Sequence, residues 1–362
     1  MKRYYSLLIL AVVYISAHAS EPPAYYDSAL GKSGNSLRNA LMDIIDGHTD
    51  KGYSGLWTIY KTSDVRDNGT IWDMYSTCTF QKGTDQCGGS GYKNICDCYN
   101  REHTVPQSWF SKKAPMVSDA YHIYPTDGKV NGERDNFPYG ECANGQTWTN
   151  ALGKKGQSTF NGYNGTVFEP VDDYKGDFAR SYFYMITRYA NQNFTSSGGS
   201  VCFTYTAAAN PKANLTPYAQ ALFLKWHRQD PVSQKELDRQ EAVYAAQNNR
   251  NPFIDHPELA EFLWGDSIGR VWNGQPITTN LATTTTEEFL IYPNPANDYI
   301  RIDLGSSARF SYEIYNLQAM ATLKGEASSG EGINISELNE GLYFIRIILG
   351  NQSLTKKIVI FR

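Results

Sequence analysis

Apolar residues recur every three or four positions in several segments before residue 275, which is the spacing of amphipathic helices. Leu37 and Leu41 belong to one such stripe. Phe178 and Tyr182 begin another, for which Asp177 is the predicted N-cap. Further helix-start signals stand at Thr216-Pro217, at the capping box of Ser233 with Glu236, and at Pro257. These patterns predict a domain rich in helices.

The hydrophobic pattern changes twice along the chain. Residues 57–109 are rich in Gly, Tyr, Thr and Asp without a helical period, which indicates loops and a few short strands. After a Thr-rich polar run from residue 275, apolar residues alternate, as in Ile300, Ile302 and Leu304. We therefore predict an α+β protein with a mixed helical and loop-rich domain over 21–274, a linker over 275–287 and a small all-β sandwich over 288–362.

The first nineteen residues have the pattern of a secretory signal peptide. Lys2 and Arg3 precede an apolar run, and Ala17-His18-Ala19 fits a small-x-small cleavage site. A membrane anchor is the alternative, but the apolar run is too short to span a bilayer comfortably. We predict that residues 1–19 are removed and that the protein is secreted through the periplasm to the cell surface or the medium, with no membrane span.

Charge and cysteine content limit how this protein can bind nucleic acid and what its cysteines can form. The chain has 33 basic and 37 acidic residues, so it lacks the basic excess typical of proteins that grip nucleic acid tightly. Any such contact needs a local patch or a divalent metal. An even number of cysteines in an exported protein predicts disulfides, with a zinc site from the first four as the alternative. The six are Cys78, Cys87, Cys96, Cys98, Cys142 and Cys202. We expect the four cysteines before residue 99 to cross-link a loop-rich segment and so hold the following strand rigidly.

Candidate chemistry lies in the run Arg101-Glu102-His103-Thr104-Val105-Pro106. Neighbours on a strand point to opposite faces, so Glu102 can hold a metal while His103 presents a base, if the strand twists or the metal sits at its edge. A second strand over 120–124 and a helix over 127–136 would bring Asn131 to the same point. Carboxylate and amide oxygens suit Mg²⁺ or Ca²⁺, and an imidazole can take a proton from water. The set predicts metal-assisted hydrolysis of a phosphodiester.

These residues resemble the bacterial endonuclease I family of the ββα-metal (His-Me finger) superfamily. The resemblance rests on the run YNREHTVPQSWF (99–110), on Asp119, His122 and Pro125, and on Val130-Asn131 with Arg134 and Asn136. It continues through GDFAR (176–180) and KWH (225–227) to NRNPFIDHP (249–257). It implies a nuclease domain built around a ββα-metal finger.

The resemblance also implies residue roles. His103 would be the general base, and Glu102 and Asn131 would hold Mg²⁺, with Ca²⁺ or Mn²⁺ as alternatives. Arg134 is the candidate phosphate contact, and its alternative role is an ion pair with Asp135 or Glu133 that braces the helix.

The chain departs from the family pattern between His103 and Asp119, where the expected phosphate-binding arginine is missing. Lys113 or Arg180 could replace it, and Arg101 is a further candidate for substrate binding. His122 could orient Glu102 or touch a metal-bound water, or it could be a buried, hydrogen-bonded histidine.

The tail resembles the C-terminal sorting domain of the type IX secretion system. The matching segments are YPNPAND (292–298), SYEIYNLQ (311–318), GLY (341–343) and KKI (356–358), with Ala319 where the pattern usually has Gly. The resemblance implies export by that machinery, often followed by removal of the tail. A carbohydrate-binding sandwich is the alternative.

Together these features predict a secreted, monomeric, sequence-nonspecific metal-dependent endonuclease that cleaves DNA, with RNA as a further substrate. Two alternatives stay open: a metal-dependent phosphodiesterase for small substrates, and a nucleic-acid-binding protein that has lost catalysis.

Overall fold

The computed structural model describes residues 21–88, 91–274, 289–304, 308–316, 321–349 and 352–362. The chain divides into two compact units, Met1–Pro276 and Ile277–Arg362. The predicted signal peptide (1–19) and linker (275–287) lie outside the described residues. Within the described ranges, every helix is too short or too polar to cross a bilayer.

The described part of the first unit contains helices and three short antiparallel strand pairs. The helices are α1 (Gly34–Ile45), α2 (Gly52–Ser63), α3 (Gly128–Arg134), α4 (Lys175–Arg188), α5 (Pro217–Gln229), α6 (Gln234–Gln247), α7 (Pro252–Asp255) and α8 (Leu259–Trp264). The pairs are β1 (Tyr99–His103) with β2 (Ile123–Asp127), β3 (Lys154–Gln157) with β4 (Thr166–Glu169), and β5 (Phe203–Tyr205) with β6 (Ala213–Leu215).

Local sequence signals explain most helix starts. Thr216 caps α5 by accepting a hydrogen bond from the Ala219 amide at 3.2 Å, and Ser233 forms the predicted capping box with Glu236 at α6. The prediction for α4 was wrong by a few residues, because the helix begins at Lys175 and Asp177 lies in its first turn. α2 was not predicted at all, because it lies in a stretch rich in Gly, Ser and Thr.

α4 is the centre of the first unit, since all its residues are buried. It packs against α1, α5 and α7. Aromatic rings form much of this packing. The ring centroids of Tyr182 and Phe223 are 4.2 Å apart, and those of Phe183 and Trp264 are 4.9 Å apart. These rings bury large apolar surfaces and fix the geometry of their neighbours.

β1, β2 and α3 form a compact strand–strand–helix unit. Glu102 pairs with Tyr124 and His103 with Ile123 in the antiparallel register. α3 follows β2 directly because Asp127 caps it, accepting hydrogen bonds from the amides of Lys129 at 2.8 Å and Val130 at 3.0 Å. The helix packs back against β1, so the end of the strand lies beside the helix.

Two disulfides lie in the loop-rich segment before β1. Cys78 bonds Cys96, and Cys87 bonds Cys98. The first four cysteines are therefore bridged, which excludes the alternative of a zinc site from their thiolates. The expectation of disulfides for all six was wrong, because Cys142 and Cys202 are free and buried.

The second unit is a small all-β region. Its strands are β7 (Leu290–Tyr292), β8 (Tyr299–Asp303), β9 (Arg309–Tyr315), β10 (Ala321–Ser328), β11 (Gly332–Asn334), β12 (Gly341–Leu349) and β13 (Gln352–Ile360). They form one sheet in the order β10-β9-β12-β13 and another in the order β11-β8-β7. Inward residues of both sheets, among them Ile300, Ile302, Ile314 and Ile345, share one core.

Candidate active site

Glu102 and His103 are buried at the end of β1, with 2% and 5% of their surfaces exposed. As neighbours on a strand they face opposite sides. Tyr75 and Arg134 surround the Glu102 carboxylate, whereas Tyr53, Val117 and His122 surround the His103 ring. The strand therefore separates an acidic side from an imidazole side.

On the acidic side, two donors reach the same oxygen of Glu102. Tyr75 Oη donates to Oε1 over 2.7 Å, and Arg134 Nη1 lies 2.9 Å from it. Tyr139 Oη lies 2.6 Å from Tyr75 Oη and extends the network. Burial raises the pKa of Glu102, and the Arg134 guanidinium opposes that shift.

Arg134, the last residue of α3, is itself 1% exposed. Besides Glu102, its guanidinium donates to the carbonyl oxygens of His103 at 2.8 Å and Thr104 at 2.6 Å. It also lies 4.6 Å from the centre of the Tyr139 ring. Its carboxylate partner is therefore Glu102, not Glu133 or Asp135 as the bracing alternative supposed.

On the imidazole side, the Val117 carbonyl fixes the His103 ring. His103 Nε2 lies 3.2 Å from that oxygen. A carbonyl only accepts, so Nε2 carries the hydrogen and Nδ1 keeps a lone pair. Burial, followed by the nearby His122, lowers the pKa of His103 well below its usual value. The ring is thus neutral at physiological pH and able to accept a proton at Nδ1.

Asn131 is half-buried on α3, one turn before Arg134. Residues three apart lie on the same face of a helix, so Asn131 lies on the side from which Arg134 contacts β1. The fold therefore brings Glu102, His103 and Arg134 into contact, and Asn131 lies on the helix that packs against β1. Carboxylate and amide oxygens form a donor set that suits a hard divalent cation.

The other predicted substrate contacts differ in accessibility. Arg101 is half-buried on β1, with its guanidinium 3.6 Å from the centre of the Tyr53 ring. Lys113 is exposed, and its carbonyl accepts a hydrogen bond from the Val117 amide at 3.1 Å, which places it near the His103 side.

His122 and Arg180 are both fully buried. His122 Nε2 lies 2.7 Å from the Met116 carbonyl oxygen, and burial lowers the pKa of this ring to about 4. Arg180 makes two 2.6 Å hydrogen bonds to the Glu236 carboxylate. Both arrangements favour structural roles over contact with substrate.

Sequence reasoning missed three side chains that line the site. Tyr53 stacks on His103 with ring centroids 5.8 Å apart, while Tyr75 and Tyr139 lie behind Glu102. The helical spacing of Leu56, Ile59 and Tyr60 could have indicated α2, which carries Tyr53. No local pattern could have indicated the other two, because they come from separate loops.

Family models match both parts of the chain. The family model of Endonuclease I matches residues 33–258, which include the whole site. The chain belongs to the Endonuclease I family. A second family model, the secretion system C-terminal sorting domain, matches residues 290–361. The protein is therefore an exported nucleic-acid hydrolase with a sorting tail, in a family that is generally metal-dependent.

Several relatives of this Endonuclease I member are named nucleases. An extracellular ribonuclease of Bacillus subtilis (strain 168) is 36% identical over 266 residues, covering 72% of this chain and 84% of the relative. An extracellular ribonuclease of Bacillus amyloliquefaciens is also 36% identical, covering 68% and 80%. An extracellular deoxyribonuclease of Aeromonas hydrophila is 28% identical over 140 residues, covering 39% and 50%.

Proposed function

We propose that the protein cleaves both RNA and DNA without sequence specificity, with His103 as general base and Glu102 and Asn131 as ligands of a divalent cation. The observation that carries this proposal is the adjacency of a buried carboxylate and a neutral imidazole in the last two residues of β1, so that both can act on a phosphate bound across the end of the strand. Relatives named as ribonucleases and as a deoxyribonuclease support both substrates. Contacts to the sugar-phosphate backbone carry no sequence information.

His103 performs the proton transfer in this proposal. Its Nδ1 takes a proton from the attacking water while Nε2 stays bonded to the Val117 carbonyl. That carbonyl keeps the ring in one tautomer and one orientation, as an orienting group does for other catalytic imidazoles. In-line attack breaks the bond between phosphorus and the 3′-oxygen, which takes a proton from solvent water, so the products are a 5′-phosphate and a 3′-hydroxyl.

We assign Mg²⁺ as the cation, with Ca²⁺ and Mn²⁺ as alternatives. When bound, it neutralises charge on the scissile phosphate and stabilises the leaving 3′-oxygen. Glu102 and Asn131 supply oxygen ligands on β1 and α3. The unit β1–β2–α3 would then act as a ββα-metal finger.

Arg101 and Lys113 are our candidates for gripping the substrate phosphates. Arg101 shares Tyr53 with His103, the backbone of Lys113 bonds Val117 beside the His103 ring, and both residues keep part of their surface exposed. Arg134 and Arg180 are less suitable because their guanidinium groups are buried against carboxylates. Substitution of Arg101 or Lys113 should weaken binding of every sequence equally and reduce its salt dependence.

We further propose that residues 1–19 are removed on export and that 288–362 form the sorting unit for the type IX secretion machinery. The chain over 275–287 would then connect two separately folded units.

The deciding experiment measures plasmid nicking and RNA digestion with Mg²⁺, with EDTA, and with His103→Ala. Loss of the general base should lower the rate by about a hundredfold or more. His256→Ala is the matched control, because that ring pairs with Glu21 and Glu258 instead. Equal rates for wild type and His103→Ala would refute the base assignment. Hydrolysis of a small phosphodiester without cleavage of either polymer would support the phosphodiesterase alternative.

A further inference from the structure

Arg134 occupies a position that a phosphate-gripping residue would not. Its side chain is 1% exposed, and both terminal nitrogens of its guanidinium group bond groups inside the protein. Nη1 is shared between Glu102 Oε1 and the His103 carbonyl, and Nη2 binds the Thr104 carbonyl. A substrate phosphate would have to displace these contacts and leave a buried carboxylate uncompensated, which is costly.

The same contacts define what Arg134 can do. It bonds both the side chain of Glu102 and the backbone of the next two residues, so it fixes the carboxylate relative to β1. Tyr75 adds a second donor to the same oxygen, and Tyr139 supports both Tyr75 and the face of the guanidinium. Groups that orient a ligating carboxylate in this way commonly tune metal affinity.

We propose that Arg134 and Tyr75 are positioning residues that hold Glu102 in place for the divalent cation. Arg134 acts through Glu102 and not on the substrate. This inference rests on the assignment of Glu102 as a cation ligand in the proposed function. It reassigns the arginine that the sequence alone had suggested as the phosphate contact.

The test separates cation binding from substrate binding. Full-length wild type, Arg134→Lys and Tyr75→Phe are stripped with EDTA and titrated with Mg²⁺ in a calorimeter without nucleic acid. Binding of a fluorescent oligonucleotide is measured separately in EDTA. Lysine lacks the planar fork needed to reach both carbonyls and the carboxylate, so Arg134→Lys should weaken Mg²⁺ binding about tenfold or more. Oligonucleotide affinity should not change.

Arg250→Lys is the matched control, because Arg250 is also buried and makes two 2.8 Å hydrogen bonds to Asp255. It should leave Mg²⁺ affinity unaltered even if it lowers the melting temperature. Tyr75→Phe removes only a hydroxyl. If Arg134→Lys does not fold, the Mg²⁺ affinity of Tyr75→Phe tests the proposal.

Two outcomes overturn the inference: unchanged Mg²⁺ affinity in both variants, or weaker oligonucleotide binding by Arg134→Lys with unchanged Mg²⁺ affinity. In the background of Glu102→Gln, Arg134→Lys should add no further loss of Mg²⁺ affinity, and a full additional loss would also count against it. A wild type that neither binds Mg²⁺ nor cleaves nucleic acid refutes the proposed function itself.

Discussion

At the scale of single residues, the buried carboxylates differ in the groups that offset the cost of burying their negative charge. Glu102 and Asp64 each face an arginine, at 2.9 Å from Arg134 and 2.8 Å from Arg239 respectively. Asp73, with none of its surface exposed, instead accepts hydrogen bonds from neutral donors: the Ser76 hydroxyl and the amides of Tyr75 and Asp127. Burial raises the pKa of Asp73 to about 7 despite these hydrogen bonds.

Asp73 should make stability depend on pH. Its pKa is 3.8 in the unfolded chain and about 7 in the folded protein. Between these values the folded state keeps a proton that the unfolded state has lost, so Asp73 destabilises the fold increasingly as pH rises from 4 to 7. Asp73→Asn removes this effect. The stability of the variant relative to wild type should therefore improve between pH 4 and pH 8, by at most about 4 kcal/mol.

Melting temperatures of wild type and Asp73→Asn at pH 5 and pH 8 check this prediction. The exposed Asp67→Asn serves as control and should give the same difference from wild type at both pH values. A constant difference for Asp73→Asn as well would show that Asp73 stays ionised in the fold.

At the scale of elements, the two disulfides hold the start of α3 against β1. The Cys96 amide donates to Asp127 Oδ2 over 2.6 Å, and the Gly128 amide donates to the Cys98 carbonyl over 2.9 Å. Gly128 must be glycine here, because a Cβ would lie 2.7 Å from Cys87 Sγ and closer still to the Tyr92 ring. This agrees with the expectation that the cysteines staple the segment before the strand, and it extends the effect to the helix.

Reduction of the disulfides should therefore destabilise the first unit. A bridge closing a loop of this length contributes about 3 kcal/mol, mainly by restricting the unfolded chain. Scanning calorimetry with a phosphine reductant should show a lower melting temperature for wild type. A variant with Ser at the four bridged cysteines should have a lower melting temperature before reduction, and the reductant should not change it. An unchanged wild-type melting temperature after verified reduction would contradict this.

At the scale of the whole molecule, each compact unit has a core of its own. The tail core is built from tail residues alone, from Phe289 to Ile360. The first unit ends in an ordered contact, because the Trp272 amide and carbonyl bond Lys32 and Gly31. The two units therefore have separate sources of stability.

A protein that ends at Gly274 should keep the nuclease activity of the full chain. The cut leaves the Trp272 contacts and the site intact, so cleavage rates on RNA and plasmid should stay within about twofold of the full chain. Export should be lost, since the sorting tail is absent. Secretion is followed by activity in the culture medium, and cleavage by purified protein is the internal control. Loss of activity in soluble truncated protein would show that the tail supports the site.

Short-range physics made part of this structure predictable. Helix caps such as Thr216 and Ser233 satisfy amides only three residues away, so their sequence signals suffice. The same holds for the alternation in the tail strands and for the opposite faces of Glu102 and His103. α2 escaped prediction because its Gly and Ser content masks the helical spacing of Leu56, Ile59 and Tyr60, the apolar residues that it buries.

The sequence by itself determined which segments form most of the helices and strands, and the division of the chain into two parts. It also indicated the type of reaction, through the adjacent residues Glu102 and His103. Only the tertiary structure decided the partners. Arg134 has Glu133 and Asp135 beside it in the chain, yet it binds Glu102, while Glu133 pairs with Lys129 and Lys155. Partner choice depends on which side chains the folded backbone brings within a few ångströms, and residues such as Tyr75 and Tyr139 reach Glu102 from distant loops. Local sequence does not encode those distances.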